Sequence, residues 1–198
     1  MRYLVLMKLY KTSLTCLLAA STLLLAAQSS SARRIDHLFP TEKTVHGLRL
    51  ERIGVSHLRV GFVFPVYDAA LFAEPGRSAR DIVLGDVGKS LHIQYLRSIS
   101  RDQLIRAADD MMANFLSPAQ IAQIQPGIDA INALYKDVGK GDAYTLTYIP
   151  GFGTELSLNG KLLGRIEGAE FAIAYFRIWL DESIPYTDFR NRLLQGAN

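Results

Sequence analysis

The sequence predicts an α+β domain in which a large, mainly antiparallel sheet carries a layer of helices. Three features lead there. Strand-like alternation fills two separate stretches, 45–72 and 142–166. Two helix starts stand between them, and a further helical pattern closes the chain. The order of strands, helices, strands and helices lacks the strand–helix alternation of a parallel wound sheet.

In the first stretch, Leu48 and Leu50 alternate with Arg49 and Glu51, and Phe62, Phe64 and Val66 share parity. Such alternation marks a sheet with one buried face. Residues 73–88 read as a connection, with Ile82-Val83-Leu84 as a short strand inside it. Leu91, Ile93 and Tyr95 then alternate with His92 and Gln94 as another strand. Ser100-x-x-Gln103 and Ser117-x-x-Gln120 are capping boxes, in which the serine oxygen takes a free N–H of the first turn. They open helices over 101–115 and 118–135, the second with Pro118 at the first helical position. Ile121, Ile124, Ile128, Ile131 and Leu134 give that helix a core stripe, and Pro126 is expected to kink or divide it. Beyond Lys140-Gly141-Asp142, Tyr144, Leu146 and Tyr148 alternate. Asn159-Gly160 predicts a two-residue hairpin, because both positions tolerate positive φ. Helices over 169–180 and 188–194 finish the chain.

The first residues follow a different rule. Arg2, Lys8 and Lys11 precede an apolar run from Thr12 to Ala27, and the small residues Ser29 to Ala32 follow. A basic start, a short apolar core and a small-residue exit predict a signal peptide over 1–32, with the domain proper over 33–198. The run is shorter than the roughly 20 residues of a span, so a periplasmic or secreted product is expected, with an uncleaved inner-membrane anchor as the alternative. Cleavage removes three basic residues from a total of 22 against 19 acids, leaving no net charge. The basic balance of the whole chain therefore gives no reason to expect a nucleic-acid partner. Cys16 lies within the segment, so the mature domain has neither disulfide nor thiolate chemistry.

Several chemistries fail on spacing. Gly88-Lys89-Ser90 lacks the first glycine of a phosphate-binding loop, since position 83 is valine. Gly151-Phe152-Gly153 lacks a third glycine and joins strands. His37, His46, His57 and His92 show no metal-binding spacing, so neither metal nor cofactor is expected. His92 reads as a solvated strand position, and Asp109-Asp110 as a solvated helix face.

Two stretches carry a resemblance. Leu58-Arg59-Val60-Gly61-Phe62 leads to Val66-Tyr67-Asp68-Ala69-Ala70-Leu71-Phe72. Later come Tyr148-x-Pro150-Gly151-x-Gly153-Thr154, Leu158-Asn159-Gly160 and Leu163-Gly164, then Ile178-Trp179-Leu180. These resemble the exported bacterial branch of the chalcone isomerase-like family, and Tyr95 to Ser100 resembles its strand-to-helix junction. The resemblance implies an open-faced β-sandwich with a ligand cleft between sheet and helices. Plant enzymes of that family cyclise chalcones, whereas its fatty-acid binders hold a carboxylate with an arginine and a tyrosine. Arg59 matches the family arginine, and Tyr67 matches the position that is tyrosine in the binders and threonine in the isomerases. The tyrosine and asparagine of the plant helix align with about Leu104 and Met111, so neither polar group is carried over.

The resemblance thus implies a ligand site at Arg59 and Tyr67 for a small amphipathic carboxylate or a phenolic ligand, with Arg59 as the catalytic group if the protein is an isomerase. A guanidinium and a phenol suit a carboxylate oxygen chemically. A structural pairing of Arg59 with Glu51, Asp68 or Glu155 stays open beside that reading. A third possibility is a periplasmic scaffold or accessory subunit, with Tyr175, Phe176, Trp179 and Tyr186 as a partner surface instead of core.

Overall fold

The predicted alternation becomes a seven-stranded sheet in which each strand pairs antiparallel with the next. The strands are β1 (Glu42–Val45), β2 (Leu48–Val60), β3 (Phe64–Ala73), β4 (Lys89–Tyr95), β5 (Ala143–Ile149), β6 (Gly153–Leu158) and β7 (Lys161–Ile166). The computed structural model describes residues 37–60 and 64–198, and its larger compact unit is Pro40–Asn198. The predicted signal peptide, 1–32, lies outside the described residues. Five helices are described: α1 (Ala79–Leu84), α2 (Arg101–Met112), α3 (Pro118–Leu134), α4 (Ala169–Leu180) and α5 (Thr187–Leu193). None of the described helices is long and apolar enough to cross a membrane.

The two sheet faces differ in chemistry. Tyr67, Ala69 and Leu71 of β3 lie opposite Tyr95, Ile93 and Leu91 of β4, and all belong to the core beneath the helices. Phe171, Ala172, Tyr175, Phe176 and Leu180 of α4 are buried in that core. The other face presents Asp68, Ala70 and Phe72 of β3 opposite Gln94, His92 and Ser90.

Helix α5 crosses β2 at Gly54, where a Cβ would lie 2.1 Å from the Arg192 carbonyl oxygen. Any larger residue would push the two elements apart. Just before that crossing, a register shift leaves Ile53 without a partner on β3. Its carbonyl instead accepts a 2.9 Å hydrogen bond from the Gly196 N–H. The bulge and the residues after α5 therefore satisfy each other.

Two contacts show that the sheet curls. Lys43 of β1 donates to Ser90 of β4 at 2.5 Å, and His46, just beyond β1, meets Glu155 of β6 at 3.1 Å. In a flat sheet, β1 and β4 stand about 14 Å apart at the usual strand spacing, beyond the reach of a lysine. The β1–β2 hairpin must fold back over the sheet face opposite the described helices.

Some expectations need correcting. Ile82-Val83-Leu84 is part of helix α1 and not a strand. Ser78 accepts from the Asp81 N–H at 3.1 Å while Asp81 accepts from the Ser78 N–H, a complete capping box with aspartate. The box outweighs the weak helix preference of two β-branched residues. Pro126 does not divide α3, which runs unbroken through it. Pro126 is exposed, so water can satisfy the carbonyl that loses its partner. The first middle helix ends at Met112, short of the expected 115. His92 is half-buried and hydrogen-bonded to Thr145 at 2.9 Å, so it is not a fully solvated residue. At Asn159-Gly160 the φ angles are 51° and 77°, as the hairpin requires.

Candidate functional site

Tyr67 stands on β3 opposite Leu58 of β2 and Tyr95 of β4, on the face beneath the helices. Its ring meets Tyr95 edge-on at 5.9 Å and Phe189 of α5 at 5.7 Å. Its hydroxyl oxygen accepts from the indole N–H of Trp179 on α4. The residue is half-buried overall, but its hydroxyl lies deep. Burial pushes the phenol pKa far up, and the indole bond only partly offsets that. Tyr67 is thus a neutral phenol at physiological pH, a hydrogen-bonding group and not a base.

Tyr67 belongs to a closed circuit of aromatic side chains that local sequence patterns do not show. Tyr95 meets Tyr144 at 6.1 Å, and Tyr144 meets Tyr135 at 5.2 Å, both edge-on. The Tyr135 and Tyr175 hydroxyls lie 3.0 Å apart, and Tyr175 meets Trp179 at 6.0 Å. Trp179 returns to Tyr67. These residues come from β3, β4, β5, the segment after α3, and α4. Burial raises the Tyr135 pKa to about 12 and those of Tyr95 and Tyr175 well above the ordinary phenol value. The wall they build is apolar in its rings and uncharged at its hydroxyls.

Arg59 is exposed near the end of β2, opposite Pro65. A register shift separates it from Leu58, the residue that faces Tyr67. No hydrogen bond joins the Arg59 guanidinium to the Tyr67 hydroxyl among the described residues. The acids considered as structural partners are each engaged elsewhere: Glu51 with Arg49, Asp68 with His57 and Glu155 with His46. Among the described residues, Arg59 forms no ion pair. Beside it, Val60 and Phe64 face each other across the hairpin and are 49% and 63% exposed. With no ion pair among the described residues, the Arg59 guanidinium stands next to two exposed apolar side chains at the paired ends of β2 and β3.

The positions aligned with the plant polar groups are apolar here, and Leu104 and Met111 pack partly buried against the core. Tyr175 and Phe176 are fully buried, and Trp179 and Tyr186 pack against the same core. Tyr175 and Phe176 are thus core residues, and Trp179 and Tyr186 are partly buried. Asp109 and Asp110 are exposed. No group of acids and histidines suited to a metal ion occurs among the described residues.

A separate cavity of about 520 Å³ lies at the far end of β5, lined by Asp86, Tyr148, Phe152, Arg165 and the start of α4. Tyr148 donates to Asp86 there, and the Arg165 guanidinium lies 4.4 Å from the Phe152 ring centroid. The register puts Tyr148 beside Lys89 and Lys89 beside Ala73, six residues along β3 from Tyr67. At about 3.4 Å per residue, that is roughly 20 Å away. The cavity and the Tyr67 wall are distinct places.

A sequence model of the chalcone isomerase-like family matches residues 32–195. Among solved structures, the fatty-acid binding protein of Arabidopsis thaliana is similar, with a TM-score of 0.61 and 13% sequence identity. The match covers 79% of this chain and 90% of that one. At such identity the likeness is one of fold. No curated protein matches the chain.

Proposed function

The chain belongs to the chalcone isomerase-like family, and within that family we propose that it is an exported, non-catalytic binder of a small amphipathic anion such as a fatty acid. The observation that carries this reading is the end of β2 with the start of β3. Arg59 has no acid partner among the described residues, and the exposed side chains of Val60 and Phe64 flank it. A cation beside an apolar surface suits a carboxylate with a hydrocarbon tail. Tyr67 is the second proposed ligand residue, contributing to the wall through its ring and hydroxyl. The absence of polar side chains at Leu104 and Met111 supports binding over cyclisation. The basic, then apolar, then small-residue order of 1–32 supports export, with cleavage before Arg33.

Native mass spectrometry of the purified protein tests the binding reading. A co-purifying carboxylate is expected, and Arg59→Ala should lose it or weaken it at least tenfold. Equal retention by Arg59→Ala, or no carboxylate bound at added excess, would reject Arg59 as the clamp. Arg59-dependent acceleration of 2′-hydroxychalcone cyclisation would overturn the non-catalytic part. Amino-terminal sequencing of the protein from cell fractions tests export, and an intact cytoplasmic chain would refute it.

A further inference from the structure

Asn159-Gly160 is the one asparagine–glycine pair in the chain, and it forms an exposed turn with both residues at positive φ. Such a pair is chemically weak, because glycine has no Cβ to shield its backbone nitrogen from the asparagine side chain. In an unrestrained chain the glycine nitrogen attacks the asparagine Cγ. A C–N bond forms, the nitrogen gives up its proton, and the side-chain amide leaves as ammonia. Water then opens the resulting succinimide at either carbonyl, giving aspartate or isoaspartate. One water enters and one ammonia departs, with no oxidant or reductant.

The fold restrains the reacting carbon. Asn159 Oδ1 accepts from the Ala143 N–H at 2.8 Å, and Asn159 Nδ2 donates to Asp142 Oδ1 at 2.8 Å. The Asn159 N–H also donates to the Ala143 carbonyl at 2.8 Å. Both ends of the carboxamide are thus engaged at the start of β5, and turning Cγ towards Gly160 must break both bonds. The bond to Asp142 has a charged acceptor and is the stronger kind. Asp142 is itself fixed, because its Oδ2 accepts from the Gly139 N–H at 2.7 Å. The Gly139 and Asn159 bonds hold its carboxyl below the usual carboxylate range, so it is ionised at neutral pH. The same loop holds a member of the aromatic circuit: Tyr95 donates its N–H to the Asp142 carbonyl and accepts from the Gly141 N–H, both at 2.8 Å. Replacing the Asn159 carboxamide with a carboxylate removes the donor to Asp142 and sets two negative charges where a hydrogen bond stood.

We propose that Asn159 is a site of spontaneous deamidation, that its bonds to Asp142 and Ala143 gate the reaction, and that conversion to aspartate or isoaspartate loosens the loop 139–142 that holds Tyr95. The reaction waits on local opening of the turn. It depends on neither Arg59 nor Tyr67 as a ligand residue.

The purified protein is incubated in mildly alkaline buffer, and peptide mass spectrometry follows Asn159 with time. The parent should deamidate at least tenfold more slowly than a synthetic peptide of residues 154–165. Asp142→Ala should react at least threefold faster than the parent, and Asp142→Asn, which keeps an acceptor oxygen, should fall between the two. Equal rates in parent and peptide would overturn the gate, as would Asp142→Ala reacting no faster than the parent. No reaction even in the peptide would overturn the site. If Asp142→Ala does not fold, the parent in urea takes its place, and a rate there no faster than in the folded protein rejects the gate. Asn159→Asp stands for the aspartate product. Its Gly139, Gly141 and Tyr95 amides should exchange with deuterium at least threefold faster than in the parent, and unchanged exchange would overturn the loosening.

Discussion

Replacing Lys89 with methionine should change how stability depends on pH, and the structure gives the size of the change. Lys89 is fully buried, donating to the Ile82 carbonyl at 2.6 Å and the Gly85 carbonyl at 3.2 Å. Burial lowers its pKa from 10.5 to about 8, against the attraction of Asp86. At about 1.4 kcal/mol per pH unit, that shift corresponds to about 3 kcal/mol. The sign follows from proton counting. Between the folded and unfolded values the unfolded chain binds more protons, so stability rises with pH. The charged amine destabilises the folded chain fully below about pH 8, and the cost fades as pH approaches 10.5. From about pH 7 to about pH 9, Lys89 alone should add about 1 kcal/mol of stability. Urea unfolding at constant ionic strength, followed by circular dichroism, gives the free energy at each pH. The parent curve minus the Lys89→Met curve should rise by that amount, because titrations shared by both proteins cancel. The lost carbonyl bonds can offset the variant at every pH, but they cannot create the slope. Parallel curves would show that the Lys89 ammonium is not desolvated in the folded chain.

Other outcomes follow from the same structure. Gly54→Ala should destabilise by about 2–4 kcal/mol, since its Cβ meets the α5 backbone, and denaturant midpoints will show it. Ser78→Ala removes the α1 cap and should cost about 1 kcal/mol, measured the same way. Tyr67→Phe should weaken carboxylate binding less than Arg59→Ala, because the Tyr67 hydroxyl already bonds Trp179. Competition against a fluorescent fatty acid will rank the two. The buried tyrosines have raised pKa values, so their contribution is whole below the ordinary phenol value and falls as pH climbs through the folded ones. Ultraviolet titration should show their phenolate signal appearing together with unfolding. Ionisation in a chain that stays folded would contradict their burial.

What the sequence revealed were the features that act locally. Capping at Ser100 and Ser117, the turn at Asn159-Gly160 and the apolar pattern of α4 each concern groups within a few residues, so spacing exposes them. Helix α1 shows how local signals can conflict. Ile82 and Val83 favour extended backbone, but Ser78 and Asp81 complete a cap that fixes the first turn. The curl left no local trace, because Lys43 and Ser90 are joined only after three strand pairings accumulate. The aromatic circuit is equally non-local, since Trp179 and Tyr67 meet only when α4 lies on the sheet. For Arg59 the residue type was legible, but its surroundings were not. A register shift beside Leu58 and the pairing of three distant acids with other residues set them.

The sequential order of the strands also has a kinetic consequence. Each strand pairs with its neighbour in sequence, so much of the sheet can form by successive hairpins at small loop-closure cost. The crossing at Gly54 and the Gly196–Ile53 bond are different, because they must bring α5 and the residues after it back to β2. Phe189, which flanks Tyr67, arrives on that same helix. A chain that folds from its N-terminus as it is synthesised would therefore present a formed sheet before this wall is complete. The Tyr67 side would close last, and a ligand present at that moment could be enclosed as the chain finishes folding.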